Sequence, residues 1–214
     1  MALIVGRLPA ATVRTAVTVP LRFSDGYETT ARVHTFHALV DGAEHLLLSF
    51  EGRRPRARES APLVRLHSEC LTGDVFGSER CDCGPQLREA VERLSEDGGA
   101  LLYLRQEGRG IGLYAKLDAY ALQDEGLDTY EANAALGHGE DERDYRAAAQ
   151  MLHAVGIHRL RLLTNNPDKI AQLRAFGIEV TDAVPTGVHL TDANARYLRA
   201  KRDRTGHTID LPAA

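Results

Sequence analysis

Three cysteines, Cys70, Cys81 and Cys83, stand within the stretch HSECLTGDVFGSERCDCGPQL at residues 67–87, and the chain of 214 residues has no other. Ten residues separate the first from the second and one separates the second from the third, a spacing that lets a loop fold back so that three thiolates converge on one cation. Zinc is the natural candidate. A structural zinc site closes its tetrahedron with four protein ligands, whereas three leave a position for water, which the cation acidifies into a nucleophile near neutral pH. Three thiols therefore favour catalysis unless His67 completes the shell, and HSEC equally places that histidine beside a substrate. Asp82 and Gly84 suit a tight ligand loop, which argues against three unconnected thiols. Three anionic thiolates leave zinc a weaker Lewis acid than three imidazoles would, so a neighbouring acid or base is expected to help. Glu69 is well placed for it, with an ordinary surface carboxylate as the equal alternative.

The elements around this stretch change period along the chain. Val17, Val19, Leu21 and Phe23 share one parity in VTVPLRF, and RVHTFHALV, EHLLLSF and PLVRLHSE are further short strands separated by SDGYETT and DGA, so the N-terminal third reads as an antiparallel β region. Pro20 inside the first strand puts that strand at an edge. From residue 84 the pattern turns helical. PQLREAVERLSED places Leu87, Val91 and Leu94 on one face, ALLYL is a short buried strand, and IGLYAKLDAYALQDEG is a helix stopped by Gly126. DERDYRAAAQMLHAVG is another helix, with Tyr145, Ala148, Leu152 and Val155 inward. RLRLLT, NNPDKIAQLRAFG and IEV follow as strand, helix with Pro167 in its first turn, and strand. The fold expected is α+β or mixed α/β, with an N-terminal antiparallel β region followed by alternating strands and helices around a mixed sheet. The linker EGRRPRARESAP at 51–62 reads as a flexible, solvated loop, and the charged tail RYLRAKRDRTGHTIDLPAA as loosely held.

With 43% hydrophobic residues the chain can bury a substantial core. No run approaches the roughly 18 to 20 apolar residues that cross a bilayer, and the N-terminus lacks a basic segment followed by a long apolar one, so the expectation is a cytoplasmic protein without a membrane. Twenty-six Lys and Arg against 30 Asp and Glu give a formal charge of -4, which argues against nucleic acid as partner. An anionic ligand must be met by local cations.

Five motifs, RLHSECLTGDVFGSERCDCGPQL, RQEGRGIGL, YALQDEGLDTYEAN, DERDY and LLTNNPDK, in this order from about residue 65 to 180, resemble GTP cyclohydrolase II. That enzyme opens the guanine ring of GTP at the start of riboflavin synthesis. Leu66 stands where the family has Val, a mild departure. The resemblance implies a zinc ion on Cys70, Cys81 and Cys83, attack of activated water on C8 of guanine, and release of formate. It implies GTP contacts at Arg65, Leu66, His67, Ser68 and Glu69, at Gln86, at Glu107, Gly108 and Arg109, and at Thr129, Thr164 and Lys169. It implies Asp141 as proton acceptor, Arg143 as nucleophile toward the α-phosphorus, and Tyr120 for the later hydrolysis at the opened ring. Magnesium is expected to arrive with the triphosphate, and a homodimer is the family habit. Residues i and i+2 on a regular helix do not face each other, so Asp141 serves Arg143 only from a loop or cap position, and capping of the helix is the competing role for DERD. Cationic side chains suit a triphosphate, and so does the strand-to-helix turn of LLTNNPDK. EGRGIG is not a dinucleotide fingerprint. A single domain over 1–214 is expected, with a β-rich region at 1–60, the zinc and GTP site at 65–180 and a tail at 190–214.

Overall fold

The computed structural model describes residues 8–54, 60–139, 141–195, 197–199 and 202. Two compact units emerge, the first formed by Met1–His67, Arg88–Arg105 and Tyr145–Thr186, the second by Ser68–Leu87, Gln106–Asp144 and Gly187–Ala214.

The first unit carries a seven-stranded sheet. Its strands are β1 (Thr12–Arg22), β2 (Glu28–His37), β3 (Leu46–Phe50), β4 (Leu63–Ser68), β5 (Gly99–Leu104), β6 (Arg159–Leu163) and β7 (Glu179–Val184), in the order β1-β2-β3-β5-β4-β6-β7. The expected mixed sheet is present: β1, β2, β3 and β5 pair antiparallel in succession, whereas β4 with β6 and β6 with β7 pair parallel. β1 is an edge strand, where Pro20 lies opposite Thr30 and its missing N–H costs little.

The fourth strand departs from the sequence reading. PLVRLHSE was expected in the antiparallel region, but β4 sits between β5 and β6 and pairs parallel with β6. Leu63 through His67 are all buried, the mark of a strand covered on both faces, as parallel strands are. One core cluster joins Val64 and Leu66 of β4 to Leu102 and Leu104 of β5, to Leu160 and Leu162 of β6, and to Tyr145, Ala148, Met151 and Leu152.

The α-helices among the described residues include α1 (Leu71–Asp74), α2 (Cys83–Asp97), α3 (Leu113–Asp124), α4 (Thr129–Ala135), α5 (Arg146–Ala154) and α6 (Pro167–Ala175). α2 begins at Cys83, with Pro85 tolerated in its first turn. α4 was not anticipated, although Asp128 and Glu131 form a full capping box around its start. α5 starts later than the DERDYRAAAQ pattern suggests. Residues 141–145 are irregular, because the Asp141 carboxylate turns back onto the Arg143 N–H at 3.2 Å and its guanidinium rather than capping a helix. Tyr145, Ala148 and Leu152 are buried as their spacing predicts.

Within the 51–62 linker, Arg53 pairs with Glu96 at 3.1 Å, and residues 55–59 lie outside the described residues. Most of the tail expected to be loose lies outside them too. Leu198 is an exception, fully buried, so its neighbourhood is packed. Among the described residues no helix is long and apolar enough to cross a membrane.

Candidate functional site

The second unit gathers the three thiols. Cys70, Cys81 and Cys83 place their sulfur atoms within 4.8 Å of one another, and Cys70 Sγ and Cys81 Sγ are 3.6 Å apart. Cys70 ends the strand-to-α1 passage, and Cys83 opens α2. A small residue makes the convergence possible. A Cβ at Gly73 would lie 2.8 Å from Cys81 Sγ, closer than real Cβ atoms approach, and a tight 3.1 Å from Cys70 Sγ, so a side chain at 73 would displace the sulfurs. Gly84 meets a similar limit, since a Cβ there would come within 2.4 Å of Gly73 O. The CDCG and LTGD turns are thus pressed together through two glycines.

Protonation of the cluster reflects like charges at close range. Hydrogen bonds from Cys81 and Cys83, aided by Lys116, hold the Cys70 thiol far below its ordinary range. The Cys70 thiolate in turn pushes Cys81 up to about 11 and, with Cys81 and burial, Cys83 well above the usual thiol value. A divalent cation removes that conflict by letting all three ionise together, and its soft sulfur donors match zinc. The residues present fit a metal.

Lys116, on α3, was not singled out by sequence. Its ammonium donates to Cys70 Sγ at 3.1 Å, to Thr72 Oγ1 at 3.0 Å and to Glu107 Oε1 at 2.8 Å, and the residue is 8% exposed. Burial alone would lower its pKa, but the Glu107 carboxylate and the Cys70 thiolate more than offset that and hold it above the ordinary lysine value. Glu107 is itself fixed. Its Oε2 accepts from Leu71 N–H at 2.6 Å and its Oε1 from Gly108 N–H at 3.0 Å. Asp74 Oδ2 accepts from Cys70 N–H at 3.0 Å, so two carboxylates receive the first N–H groups of α1. Tyr120 lies one turn beyond Lys116, its ring 4.4 Å from the Arg80 guanidinium carbon and 5.7 Å from the Lys116 ammonium. Burial keeps its phenol above the ordinary tyrosine value and hence protonated at neutral pH.

A second group of expected residues meets in the same unit. Arg109 has a left-handed backbone, φ 63°, in the turn Glu107–Gly110, an uncommon conformation for a residue with a side chain. Its guanidinium carbon is 4.7 Å from the Tyr130 ring centroid. Nη1 and Nη2 are buried, and no hydrogen-bond acceptor meets them among the described residues. The Arg109 carbonyl accepts from Glu142 N–H at 3.0 Å, which docks the DERD turn on this loop. There Asp141 Oδ1 accepts from Arg143 Nε at 2.8 Å and Oδ2 from Arg143 Nη2, a forked pair from an irregular segment, as direct service of Arg143 required. Burial would raise the Asp141 carboxyl, but Arg143 holds it below the usual carboxylate range.

Ser68, Glu69, Gln86 and Thr129 also fall in the second unit. Ser68 Oγ donates to Gln106 Oε1 at 3.5 Å, the Gln86 amide bonds the buried Asp82 carboxylate, and Thr129 is the first residue of α4. The first unit holds Arg65, Leu66, His67, Thr164 and Lys169. Arg65 Nη1 donates to Leu163 O at 3.0 Å, and Lys169 Nζ to Leu66 O at 2.7 Å. His67 stacks on Tyr103 with centroids 5.6 Å apart. Thr164 Oγ1 accepts from Asn166 N–H, and Asn166 caps α6 through Asp168 N–H, so the TNNPD turn is closed by its own side chains.

Lys116, Thr72, Gly73 and Tyr130 escaped the sequence reading because each looks like an ordinary helix or loop residue. Only the i, i+4 spacing of Lys116 and Tyr120 signalled a shared face.

Comparison with known proteins gives the family. The chain matches the family model of GTP cyclohydrolase II over residues 14–185. It is 52% identical over 181 residues to a protein of Vibrio cholerae named GTP cyclohydrolase-2, covering 85% of this chain and 90% of that one. A protein of the same name in Psychromonas ingrahamii is 49% identical over 194 residues, covering 91% and 96%. A longer chain of Bacillus velezensis, named as a riboflavin biosynthesis protein, is 49% identical over 194 residues, which are 90% of this chain and 47% of that one. With more than half of its length matched, and the three thiols, the Arg109 loop and the DERD turn assembled in one unit, the chain belongs to the GTP cyclohydrolase II family.

Proposed function

We propose that this protein is a GTP cyclohydrolase II, which converts GTP to 2,5-diamino-6-(5-phosphoribosylamino)pyrimidin-4(3H)-one, formate and pyrophosphate as the first step of riboflavin biosynthesis. The observation that carries the reading is the set of three thiols held within 4.8 Å in a chain of this family. Cys70, Cys81 and Cys83 would hold zinc, and the bound ion would supply the Lewis acidity that brings water to nucleophilic strength near neutral pH.

The chain's own groups do the rest. Arg109 offers an anionic oxygen two buried Nη groups that meet no acceptor among the described residues, which suits a desolvated guanidinium to that role. Arg65 and Lys169 are anchored by carbonyl contacts, which fix a cationic head without cancelling its charge. With His67, Thr164 and the backbone of Leu66 they form the substrate-facing set of the first unit. Ser68, Glu69, Gln86, Gly108 and Thr129 extend the set of the second, and Glu107 contributes by tying the loop to Lys116 and Leu71. Magnesium accompanies the triphosphate, since that ion seldom takes a full protein cage.

Arg143 is the nucleophile toward the α-phosphorus. A bond forms from its guanidinium nitrogen to phosphorus, the α–β phosphoanhydride bond breaks, pyrophosphate leaves, and the nitrogen proton passes to Asp141; water then cleaves the nitrogen–phosphorus bond to leave the 5′-monophosphate, and Asp141 returns the proton to the guanidinium. Guanidinium holds its proton tightly, so a carboxylate in forked contact is the least this chemistry demands. Tyr120, kept protonated by burial, serves the hydrolysis that frees formate. The resemblance supports a homodimer working in the cytoplasm, and light scattering on the purified protein tests the dimer.

The deciding experiment incubates the purified protein with GTP and Mg²⁺, with and without a zinc chelator, and resolves products by mass spectrometry. Diaminopyrimidine, formate and pyrophosphate that vanish on chelation are expected. Intact GTP with retained binding would refute turnover, and a formylated pyrimidine would move the reaction's end point one step back.

A further inference from the structure

Three thiolates around a divalent cation leave a net charge of minus one, and such an electron-rich centre polarises water poorly. Something must draw charge off the sulfurs. Lys116 has the position for it: a nearly buried ammonium 3.1 Å from Cys70 Sγ, where little solvent intervenes to screen it. It is also locked in place. Glu107 Oε1 accepts from it at 2.8 Å, Glu107 Oε2 is anchored on Leu71 N–H at 2.6 Å, and Thr72 Oγ1 takes a further donor at 3.0 Å. A lysine serving only as the ion-pair mate of Glu107 would have no need to spend a donor on sulfur.

We propose that Lys116 is a positioning residue of the metal centre, an ammonium that pins Cys70 Sγ and offsets the surplus negative charge of the three thiolates so that the bound cation stays electrophilic. The proposal rests on the metal reading given above. Neighbours that orient and polarise metal ligands govern affinity nearly as strongly as the ligands themselves, with losses of about 10- to 100-fold when removed. Lys116 joins the chain of contacts from Leu71 through Glu107 to Cys70, and so links the EGRG turn to the thiols.

The test replaces zinc by cobalt(II) in the full-length protein and reads two quantities, the thiolate-to-cobalt charge-transfer band and the metal affinity in competition with a chromophoric chelator. Metal uptake by the wild type that is lost in Cys81→Ser establishes the metal reading independently of Lys116. Lys116→Met is then expected to weaken metal binding about 10- to 100-fold and to move the charge-transfer band to longer wavelength, because sulfur lone pairs lose their N–H donor. Lys116→Arg is expected to recover much of both. Since Lys116→Met alone strands the Glu107 carboxylate, the double variant Lys116→Met/Glu107→Gln keeps the question answerable if the single one fails to fold. Either folded variant with wild-type affinity and an unmoved band overturns the proposal while leaving the metal reading intact. A wild type that takes up no metal at its cysteines overturns both.

Discussion

The two units of this molecule hold their polar residues by opposite means. In the first, cations stand on a wall of apolar side chains: Arg65 and Lys169 are each at most 6% exposed, and their head groups reach backbone carbonyls beside strands whose own side chains fill the core. In the second, buried apolar residues are few, and Cys70, Thr72, Glu107 and Lys116 are held by one another. Its surface is correspondingly less well covered, with Phe76 74% and Tyr114 83% exposed. The contrast teaches that a packed core positions a site through shape, while a core-poor unit positions it through charge, and among the described residues it is the second unit's thiols that group as ligands for a cation.

Breaking the thiol cluster has the largest expected effect. Cys81→Ser should abolish metal uptake and lower ring opening by more than about 100-fold, beyond what loss of a neighbour to a ligand costs. Amide exchange in β4, β5 and β6 should remain as protected as in the wild type. Equal deprotection in both units would mean that the metal supports the whole chain, and the contrast would fail.

Arg143→Lys comes next, with a fall in pyrophosphate release of at least about 100-fold, because the guanidinium nucleophile that Asp141 serves is gone. Stopped assays that follow pyrophosphate and formate separately would expose normal release, which the covalent role forbids. In the first unit, Leu102→Ala should cost about 2 to 5 kcal/mol of stability through a cavity in the sheet core, seen as a lower denaturant midpoint. Metal affinity should hold as long as the protein is folded.

Arg109→Met should raise the KM for GTP about 10- to 100-fold, the worth of a charged hydrogen bond of about 1.5 to 3 kcal/mol. Its thermal midpoint should not drop, since the variant removes a guanidinium whose buried Nη groups meet no acceptor among the described residues. A variant that binds GTP normally but melts early would make Arg109 a structural residue. The smallest effect on stability is at Asp141. Its folded pKa lies below the unfolded value, so the pair with Arg143 stabilises above about pH 4 and is lost as the pH falls through the folded pKa. Asp141→Asn should therefore be less stable than wild type at neutral pH, by under about 1 kcal/mol for a partly exposed pair, and indistinguishable from it in acid. A constant difference across that range would dissociate the pair from its titration.

Much of this was legible in residue order alone. Alternation along VTVPLRF, a proline that suits an edge strand, helical spacing after Cys83 and three thiols confined to fourteen positions are local signals, because side-chain period and short-loop closure depend on neighbours in the chain. The same signals gave three thiols as candidate metal ligands and left Asp141 between a loop setting and a helix cap. Tertiary structure alone decided the rest. β4 was inserted between β5 and β6 because both of its faces demanded cover, Lys116 met a cysteine 46 positions away, and the Nη groups of half-buried Arg109 were enclosed without an acceptor among the described residues. Each of those depends on which distant surfaces exclude water together, and a side chain's own neighbours in sequence carry no record of that choice.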